Sequence, residues 1–130
     1  MDFLQPEGWP RPPGFSNGTA ATGRHVFIAG QIGIDQTSRT LADGFAAQTE
    51  QALRNVVAVL AEAGGRPEHL ARLTWFVTDV DAWRAAGRDL GPVWKEVIGR
   101  HFPAITLVEV SRLIDDEALL EIDAHAVIPE

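Results

Sequence analysis

Residues 43–65 read DGFAAQTEQALRNVVAVLAEAGG, a long helical pattern from which the rest of the fold can be worked out. Apolar and small side chains recur there at steps of three and four, which places them on one face of an amphipathic helix. The members of that face are Phe45, Thr49, Leu53, Val56, Val57, Leu60 and Ala63. The side chains predicted to fall largely on the other face are Gln48, Glu50, Gln51, Arg54 and Asn55. We expect Asp43 to cap the amino end, and Gly64-Gly65 to end the helix in a left-handed conformation.

A strand and a second helix are predicted after this first helix. The strand is Leu73–Thr78, which is rich in β-branched and aromatic residues. Asp79-Val80-Asp81 is predicted to cap a helix that runs from Ala82 to about His101. Because Gly87, Gly91 and Pro92 weaken its middle, we expect a kink or a two-part helix.

Strand patterns flank this unit on both sides. Residues 1–14 hold four of the eight prolines and are predicted to form an extended lead-in. A hairpin connection at Thr22-Gly23-Arg24 is expected to join residues 15–23 to the strand His25–Gly30. Residues 105–110 and 119–128 are the last two predicted strands. The order ββαβαββ predicts one α+β domain over residues 15–130, with two helices packed on one face of the sheet.

The composition disfavours several classes of function. With 18 acidic and 11 basic residues, the formal net charge is −7 and the pI is about 5.0. Nucleic acids and anionic membranes both require clustered positive charge, so neither is expected as a partner. The chain has no cysteine, and therefore no disulfide or thiol nucleophile. No apolar run approaches the ~20 residues of a membrane span, and no signal peptide pattern is present. We expect a soluble, cytoplasmic protein.

Motifs for metals and cofactors are missing from the sequence. The four histidines (His25, His69, His101 and His125) are not spaced as metal ligands. None of the serines stands in a G-x-S-x-G turn, and no glycine-rich phosphate loop is present. We therefore expect neither a metal site nor a cofactor.

Carboxylates are the remaining candidates for chemistry. Glu121 stands in an apolar strand, on the same face as Asp123 and His125. Such a face is typical of the solvent side of an antiparallel sheet. It could equally place a carboxylate in an interface cleft, where the carboxylate orients a water or moves a proton. Both interpretations remain open at this point.

Five short motifs together resemble one known family. They are Ala29-Gly30-Gln31-Ile32, then residues 47–56 (AQTEQALRNV), Phe76-Val77-Thr78-Asp79, Phe102-Pro103-Ala104 with Val108-Glu109-Val110, and Leu120-Glu121-Ile122. In this order and spacing they resemble the Rid family, also called the YjgF or perchloric-acid-soluble protein family. The resemblance runs from about Phe15 to Val127, which is nearly the whole chain.

This resemblance implies a fold, an assembly and an activity. The expected fold is chorismate-mutase-like, with a mostly antiparallel sheet, and the expected assembly is a homotrimer whose sheets line a central barrel. Ligand clefts would lie between neighbouring subunits. The archetypal members are imine and enamine deaminases that release ammonia from 2-aminoacrylate-type compounds without a cofactor. Their clefts contain an arginine that holds the substrate carboxylate, together with a serine, a tyrosine and a glutamate.

Most of that set is replaced in this chain. The arginine position is Ile105, the serine position is Ala29, the tyrosine position is Phe15, and a common cysteine is Leu107. Glu121 alone is kept, and it becomes the predicted catalytic group. The predicted ligand-binding cleft consists of Phe15, Ala29, Gly30, Ile105 and Leu107. Since a carboxylate in a half-buried cleft needs a compensating cation, we expect a neutral or apolar ligand.

Three functions remain compatible with these residues. The first is hydrolysis of an imine, an enamine or another reactive metabolite that lacks the usual carboxylate, with Glu121 positioning the water. The second is a ligand-binding or regulatory trimer without catalysis. The third is an endoribonuclease, an activity attributed to some members of the family. The negative charge and the single lysine disfavour this third function, because RNA binding needs a positive groove.

Overall fold

Eight strands and three helices follow one another in the computed structural model, which describes residues 1–130. In chain order they are β1 (Asp2–Leu4), β2 (Gly18–Ala20), β3 (Arg24–Ile32), β4 (Ile34–Asp35), β5 (Thr40–Leu41), α1 (Phe45–Glu62), β6 (Leu70–Val77), α2 (Val80–Ala85), α3 (Gly87–Val97), β7 (Ala104–Glu109) and β8 (Leu120–Ile128). A 3-10 turn, Pro67–His69, connects α1 to β6. None of the helices combines the length and the apolar character that crossing a membrane requires.

The central sheet has four strands in the order β3-β8-β6-β7. β8 pairs antiparallel with both β3 and β6, whereas β7 pairs in parallel with β6. A parallel pair needs a crossover connection, and the α2–α3 segment supplies it. The predicted α+β architecture with a mostly antiparallel sheet is therefore confirmed.

The hydrophobic core lies between α1 and one face of this sheet. Leu53, Val56 and Leu60 of α1 are fully buried, as are Leu73 and Ile122 of the sheet. We call this side of the sheet, which also bears Trp75 and Val77, the helix face. The other side, which bears Thr74, Phe76 and Glu121, is called the open face. Burial of each large aliphatic side chain contributes roughly 1.5–3 kcal/mol, so this layer dominates the stability of the subunit.

The two ends of α1 differ in how well the sequence predicts them. Gly64 has a φ of 81°, and the Gly65 amide donates to the carbonyl oxygen of Leu60 at 3.1 Å, so the predicted terminator is confirmed. The expectation for Asp43 is wrong. The N-cap is Gly44, with a φ of 92°, and no side chain caps the free amides there. Glycine alone adopts that backbone conformation without strain.

The second helix is split in two, as predicted, and the break lies directly before Gly87, whereas Gly91 and Pro92 lie inside α3. Asp79 caps α2, and its Oδ1 atom accepts from the amides of Asp81 at 2.9 Å and Ala82 at 3.3 Å. The chain contains three helices rather than two because Ala86 separates α2 from α3. α3 ends at Val97 rather than at His101, since Gly99 adopts a φ of 91° and leaves the helical path.

The expected hairpin at Thr22-Gly23-Arg24 is wrong. β2 pairs antiparallel with β1, and β3 pairs with β8 alone. Thr19 Oγ1 donates to the carbonyl oxygen of Ala71 at 2.7 Å, which attaches the β1–β2 pair to the start of β6. The sequence pattern missed this pairing because β1 lies inside the proline-rich lead-in, far from β2 along the chain.

Candidate functional site

A large cavity opens between α2, α3 and the helix face at β6 and β7. Its volume is about 920 Å³. The apolar side chains that line it are Phe15, Trp75, Trp83, Leu90, Trp94, Phe102, Ile105 and Leu107. We call it the aromatic cavity. Because Trp75 pairs with Leu107 and Leu73 with Ile105 in the β6–β7 register, both β7 side chains point to the helix face.

Three of the predicted cleft residues meet in this cavity. Ile105 and Leu107 form one wall, and Phe15 reaches the cavity from the segment directly after the lead-in. Ser16 holds Phe15 in place, because its amide donates to the carbonyl oxygen of Pro103 at 3.0 Å and its hydroxyl donates to that of Phe102 at 2.6 Å. The amino-terminal segment is therefore a structural part of the site.

The polar groups of the aromatic cavity are few and of one kind. Arg84, Lys95 and Arg100 line it, and no carboxylate does. Trp94 Nε1 donates to the carbonyl oxygen of His101 at 3.0 Å. Trp75 Nε1 is buried and has no hydrogen-bond partner. The cavity therefore combines apolar walls with three basic side chains, of which Arg84 is paired with Asp81 at 3.1 Å.

Glu121 lies on the other side of the same sheet. It stands opposite Ile32 of β3 and Phe76 of β6, and it is half-buried. Its carboxylate packs over Gly30, where a Cβ atom would come within 2.5 Å of Oε1. Arg112 lies nearby, but its guanidinium pairs with Asp116 at 2.9 Å, and none of the ion pairs of the chain involves Glu121.

The structure thus divides the predicted site residues into two groups. Phe15, Ile105 and Leu107 belong to the aromatic cavity on the helix face. Gly30 and Glu121 lie in contact on the open face, and Ala29 is exposed in the bulge of β3 between Ile28 and Gln31. Within one subunit, no ligand of ordinary size can touch Glu121 and Ile105 together.

Two buried side chains of α1 position the strands that carry Gly30 and Glu121. Asn55 Nδ2 donates to the carbonyl oxygens of Ile32 at 3.2 Å and Ile34 at 2.9 Å, just after the bulge. Gln48 Oε1 accepts from the amide of Leu119 at 2.8 Å, directly before β8.

Sequence reasoning placed Gln48 and Asn55 on the polar face of α1, and this was wrong because both are buried. Helical periodicity counts polar side chains as exposed, whereas these amides satisfy backbone groups of neighbouring loops. Gly33 was the available sign that the chain packs closely against α1 at Gln48, since a Cβ atom at position 33 would lie 2.5 Å from Gln48 Cα.

A histidine pair lies further along the open face. His25 Nδ1 and His125 Nε2 are 2.9 Å apart, and the Phe27 ring lies 4.5 Å from the His125 ring, measured between centroids. Burial, together with the charges of His25 and Arg72, lowers the pKa of His125 below its ordinary value. No group of three histidine or carboxylate side chains in the structure could hold a metal ion.

Sequence comparisons identify the family. The family model described as endoribonuclease L-PSP matches residues 11–128. The chain belongs to this family. Among curated relatives, a RutC family protein of Synechocystis is 37% identical over 131 residues, covering 99% of this chain and 98% of the relative. The 2-iminobutanoate/2-iminopropanoate deaminase of Salmonella typhimurium is 33% identical over 105 residues, covering 81% of this chain and 80% of that enzyme.

Solved structures of the family share the fold. The Rid family protein YyfB of Yersinia pestis has a TM-score of 0.83 at 29% identity, covering 98% of both chains. TdcF of E. coli, crystallised with bound serine, has a TM-score of 0.73 at 25% identity, covering 98% of this chain and 99% of TdcF. The resemblance to the Rid family and its chorismate-mutase-like fold is therefore confirmed.

Proposed function

We propose that this Rid family member binds a small molecule in a cleft between the subunits of a homotrimer and hydrolyses an imine-type substrate that lacks the usual carboxylate. The observation that carries the proposal is Glu121, a half-buried carboxylate that packs on Gly30 without an ion-pair partner. A carboxylate with free lone pairs in a cleft is suited to accept a proton from water.

The division of the site between two faces supports an assembly of several subunits. Glu121 faces away from the aromatic cavity, so a second copy must bring its own Glu121 to the Ile105 wall. The open face has the apolar surface that such packing needs, with Phe27 76% exposed and Val108 39% exposed. A closed trimer would bury this surface and form three equivalent clefts.

The side chains around Ile105 support a ligand without a carboxylate at that end. Ile105, Leu107 and Phe15 offer no hydrogen-bond donor from their side chains. A carboxylate placed against them would lose hydration that these three side chains cannot replace, at a cost of several kcal/mol. The basic residues that also line the cavity come from α2, from α3 and from the segment after α3 instead. The part of the ligand that contacts this wall is therefore apolar and uncharged.

The proposed reaction needs only water and the chain's own groups. Glu121 takes a proton from a water whose oxygen adds to the imine carbon. The proton then passes to the nitrogen and gives a carbinolamine. Its hydroxyl proton is transferred to the nitrogen as the carbon–nitrogen bond breaks, and a carbonyl compound and ammonia leave. Backbone amides near Ile105 and Leu107 would stabilise the charge that develops during the addition.

Ligand binding without catalysis is the alternative. It is favoured by the replacement of the donor positions by Ile105, Ala29 and Phe15, which leaves little to orient a substrate. RNA cleavage fits less well, because the chain carries a net charge of −7. Its single Lys and ten Arg residues include three that line an aromatic cavity rather than a groove open to RNA.

Two measurements test the proposal. Light scattering at micromolar concentration should give the mass of three chains, and a monomer would contradict the intersubunit cleft. Ammonia release above the spontaneous rate should then be followed with imines made in situ by an oxidase, either from an amino acid or from a simple amine. We expect acceleration with the amine-derived imine only. Ligand binding without acceleration of either imine would support the alternative.

A further inference from the structure

Part of the wall of the aromatic cavity is bare helix backbone. Gly87 and Gly91 are one turn apart on α3, and both line the cavity. Neither has a positive φ, and a Cβ atom at either position would meet no neighbouring atom within 4 Å. Glycine is a poor helix former, and here neither the backbone conformation nor packing inside the subunit requires it. The two glycines leave a space that the folded subunit does not fill.

Two basic side chains at the mouth of this cavity have no ion-pair partner. Lys95 and Arg100 line the cavity and are exposed to solvent, and neither takes part in an ion pair of the chain. Arg84, the third basic residue there, is already paired with Asp81. No acidic residue lines the cavity, although the chain has 18 acidic and only 11 basic residues. The mouth is therefore a positive region on an otherwise acidic protein.

We propose that the aromatic cavity binds an amphipathic organic anion, whose flat ring system lies against the aromatic walls and whose carboxylate lies at the mouth with Lys95 and Arg100. The flat shape follows from the walls, since Phe15, Trp83 and Trp94 line the cavity and aromatic faces stack well on planar groups. The volume of about 920 Å³ is in the range of pockets that hold small organic ligands.

This inference deepens the proposed function, and it rests on that function only in taking the aromatic cavity as the apolar part of the cleft. The ligand remains uncharged where it contacts Ile105, because the unpaired cations belong to α3 and to the segment after it. Lys95 and Arg100 are exposed, so a carboxylate beside them keeps part of its hydration and avoids the cost of full burial. Burial of the rings then supplies most of the affinity, while the two cations select for an anion.

Two probes of the same shape separate the effect of the charge from that of the rings. At about pH 7.5, 2-naphthoate is an anion, whereas 2-naphthamide is neutral. Each is titrated into protein with ¹⁵N-labelled tryptophan, and the indole signals are assigned by single substitutions to phenylalanine. Both probes should move the signals of Trp83 and Trp94 but not that of Trp9, which does not line the cavity. In about 20 mM salt the naphthoate should bind about five- to tenfold more tightly than the amide, and in about 500 mM salt the difference should fall to about twofold.

Variants at the mouth of the cavity locate the anion. Lys95→Gln and Arg100→Gln should each weaken naphthoate binding about two- to fivefold and leave naphthamide binding unchanged. Arg88→Gln is the matched control, because Arg88 is a basic residue of the same helix that does not line the cavity, and it should change neither affinity. Gly91→Met should weaken both probes about tenfold by filling the cavity. Since methionine is a better helix former than glycine, α3 should persist in that variant.

Equal affinity of the two probes in low salt would overturn the inference. So would an equal loss of naphthoate binding in Arg88→Gln, since the attraction would then come from the general charge of the surface rather than from the mouth. Trp83 and Trp94 signals that respond to neither probe would also contradict it, because a group from another subunit would then already fill the cavity. None of these readouts involves turnover, so this inference and the hydrolysis by Glu121 can fail separately.

Discussion

Gly30 and Glu121 are in contact across the β3–β8 pair, and a side chain at position 30 would occupy the space that the Glu121 carboxylate now fills. A Cβ atom at Gly30 would lie 2.5 Å from Oε1 and 2.7 Å from Cδ of Glu121. Such a contact is too short to persist, and the carboxylate is the part that can move. The position of the proposed proton acceptor, Glu121, therefore depends on the absence of a side chain at position 30.

Gly30→Ala should reduce turnover without dissociating the assembly. The new methyl group displaces Glu121 by about 1 Å, and a displacement of this size can reduce kcat by about 100-fold. Steady-state ammonia release and light scattering check the two parts of this expectation. Full activity in Gly30→Ala would show that the carboxylate is not held at a defined position during turnover.

Glu121→Gln should abolish turnover and leave the melting temperature almost unchanged. The substitution removes the basic oxygen but keeps the shape, and no ion pair is lost, so general base catalysis of about 10²–10⁴-fold disappears while packing persists. Asp123→Asn is the matched control, because Asp123 lies two residues along the same face and its Oδ1 accepts from the Thr74 amide at 3.2 Å. That variant should keep its activity. A large loss of stability in Glu121→Gln with unchanged activity would assign Glu121 to structure alone.

Ile105→Arg should not by itself create deamination of carboxylate-bearing imines. The guanidinium would join Arg84, Lys95 and Arg100 in the aromatic cavity, with no carboxylate to pair with. Its desolvation should lower the melting temperature, and an added 2-oxo acid should restore it. The triple variant Phe15→Tyr, Ala29→Ser, Ile105→Arg should be distinctly more active than the single one. Ile105→Met controls for the change in shape, and rapid turnover by Ile105→Arg alone would exclude the binding-only alternative.

His125 should make the protein less stable in mild acid. Its pKa in the folded protein is lowered, mainly by burial and then by His25 and Arg72. The unfolded chain therefore binds a proton more readily than the folded protein does. The stabilisation that neutral His125 provides is complete above about pH 6.5, and it is lost as the pH falls. Melting temperatures between pH 8 and pH 5 should decline less steeply in His125→Asn than in the wild type. Parallel curves for the two proteins would contradict the assignment.

Asn55→Leu should destabilise the subunit by about 1–3 kcal/mol, because two half-buried carbonyl oxygens lose their donor. These oxygens belong to Ile32 and Ile34, so the substitution should also loosen the bulge that presents Gly30. Chemical denaturation measures the first effect. Arg54→Ala, one residue earlier on the exposed side of α1, should change stability by less than about 0.5 kcal/mol. Similar losses in both variants would show that the Asn55 amide does not hold the loop.

The sequence was informative wherever the determinant of structure was local. The apolar face of α1, its end at Gly64 and the Asp79 cap all depend on residues within one or two turns, and all three predictions were confirmed. Predictions failed where the structure depends on contacts between segments that are distant along the chain. The pairing of β2 with β1 could not be predicted from a turn signal at Gly23, nor the burial of Asn55 from helical periodicity.

The sequence predicts the candidate site only in part, for the same reason. The strand pattern indicated Glu121 and the resemblance added Ile105, but only the strand register shows that they face opposite sides of one sheet. The orphan Nε1 of Trp75 was beyond sequence reasoning, since an aromatic residue in an apolar strand is normally a packing residue. Whether a buried indole has a partner depends on the groups that the fold brings near it.

The central position of β8 has a consequence for how the chain folds. β3 has no sheet partner other than β8, and the His25–His125 contact spans 100 residues. While the ribosome is still making the chain, β3 must wait for its sheet partner until residues 120–128 have emerged. Folding should then be slow and concerted, because the long-range pairings form together and late. During synthesis the unpaired edge of β3 is the segment most in need of protection by a chaperone.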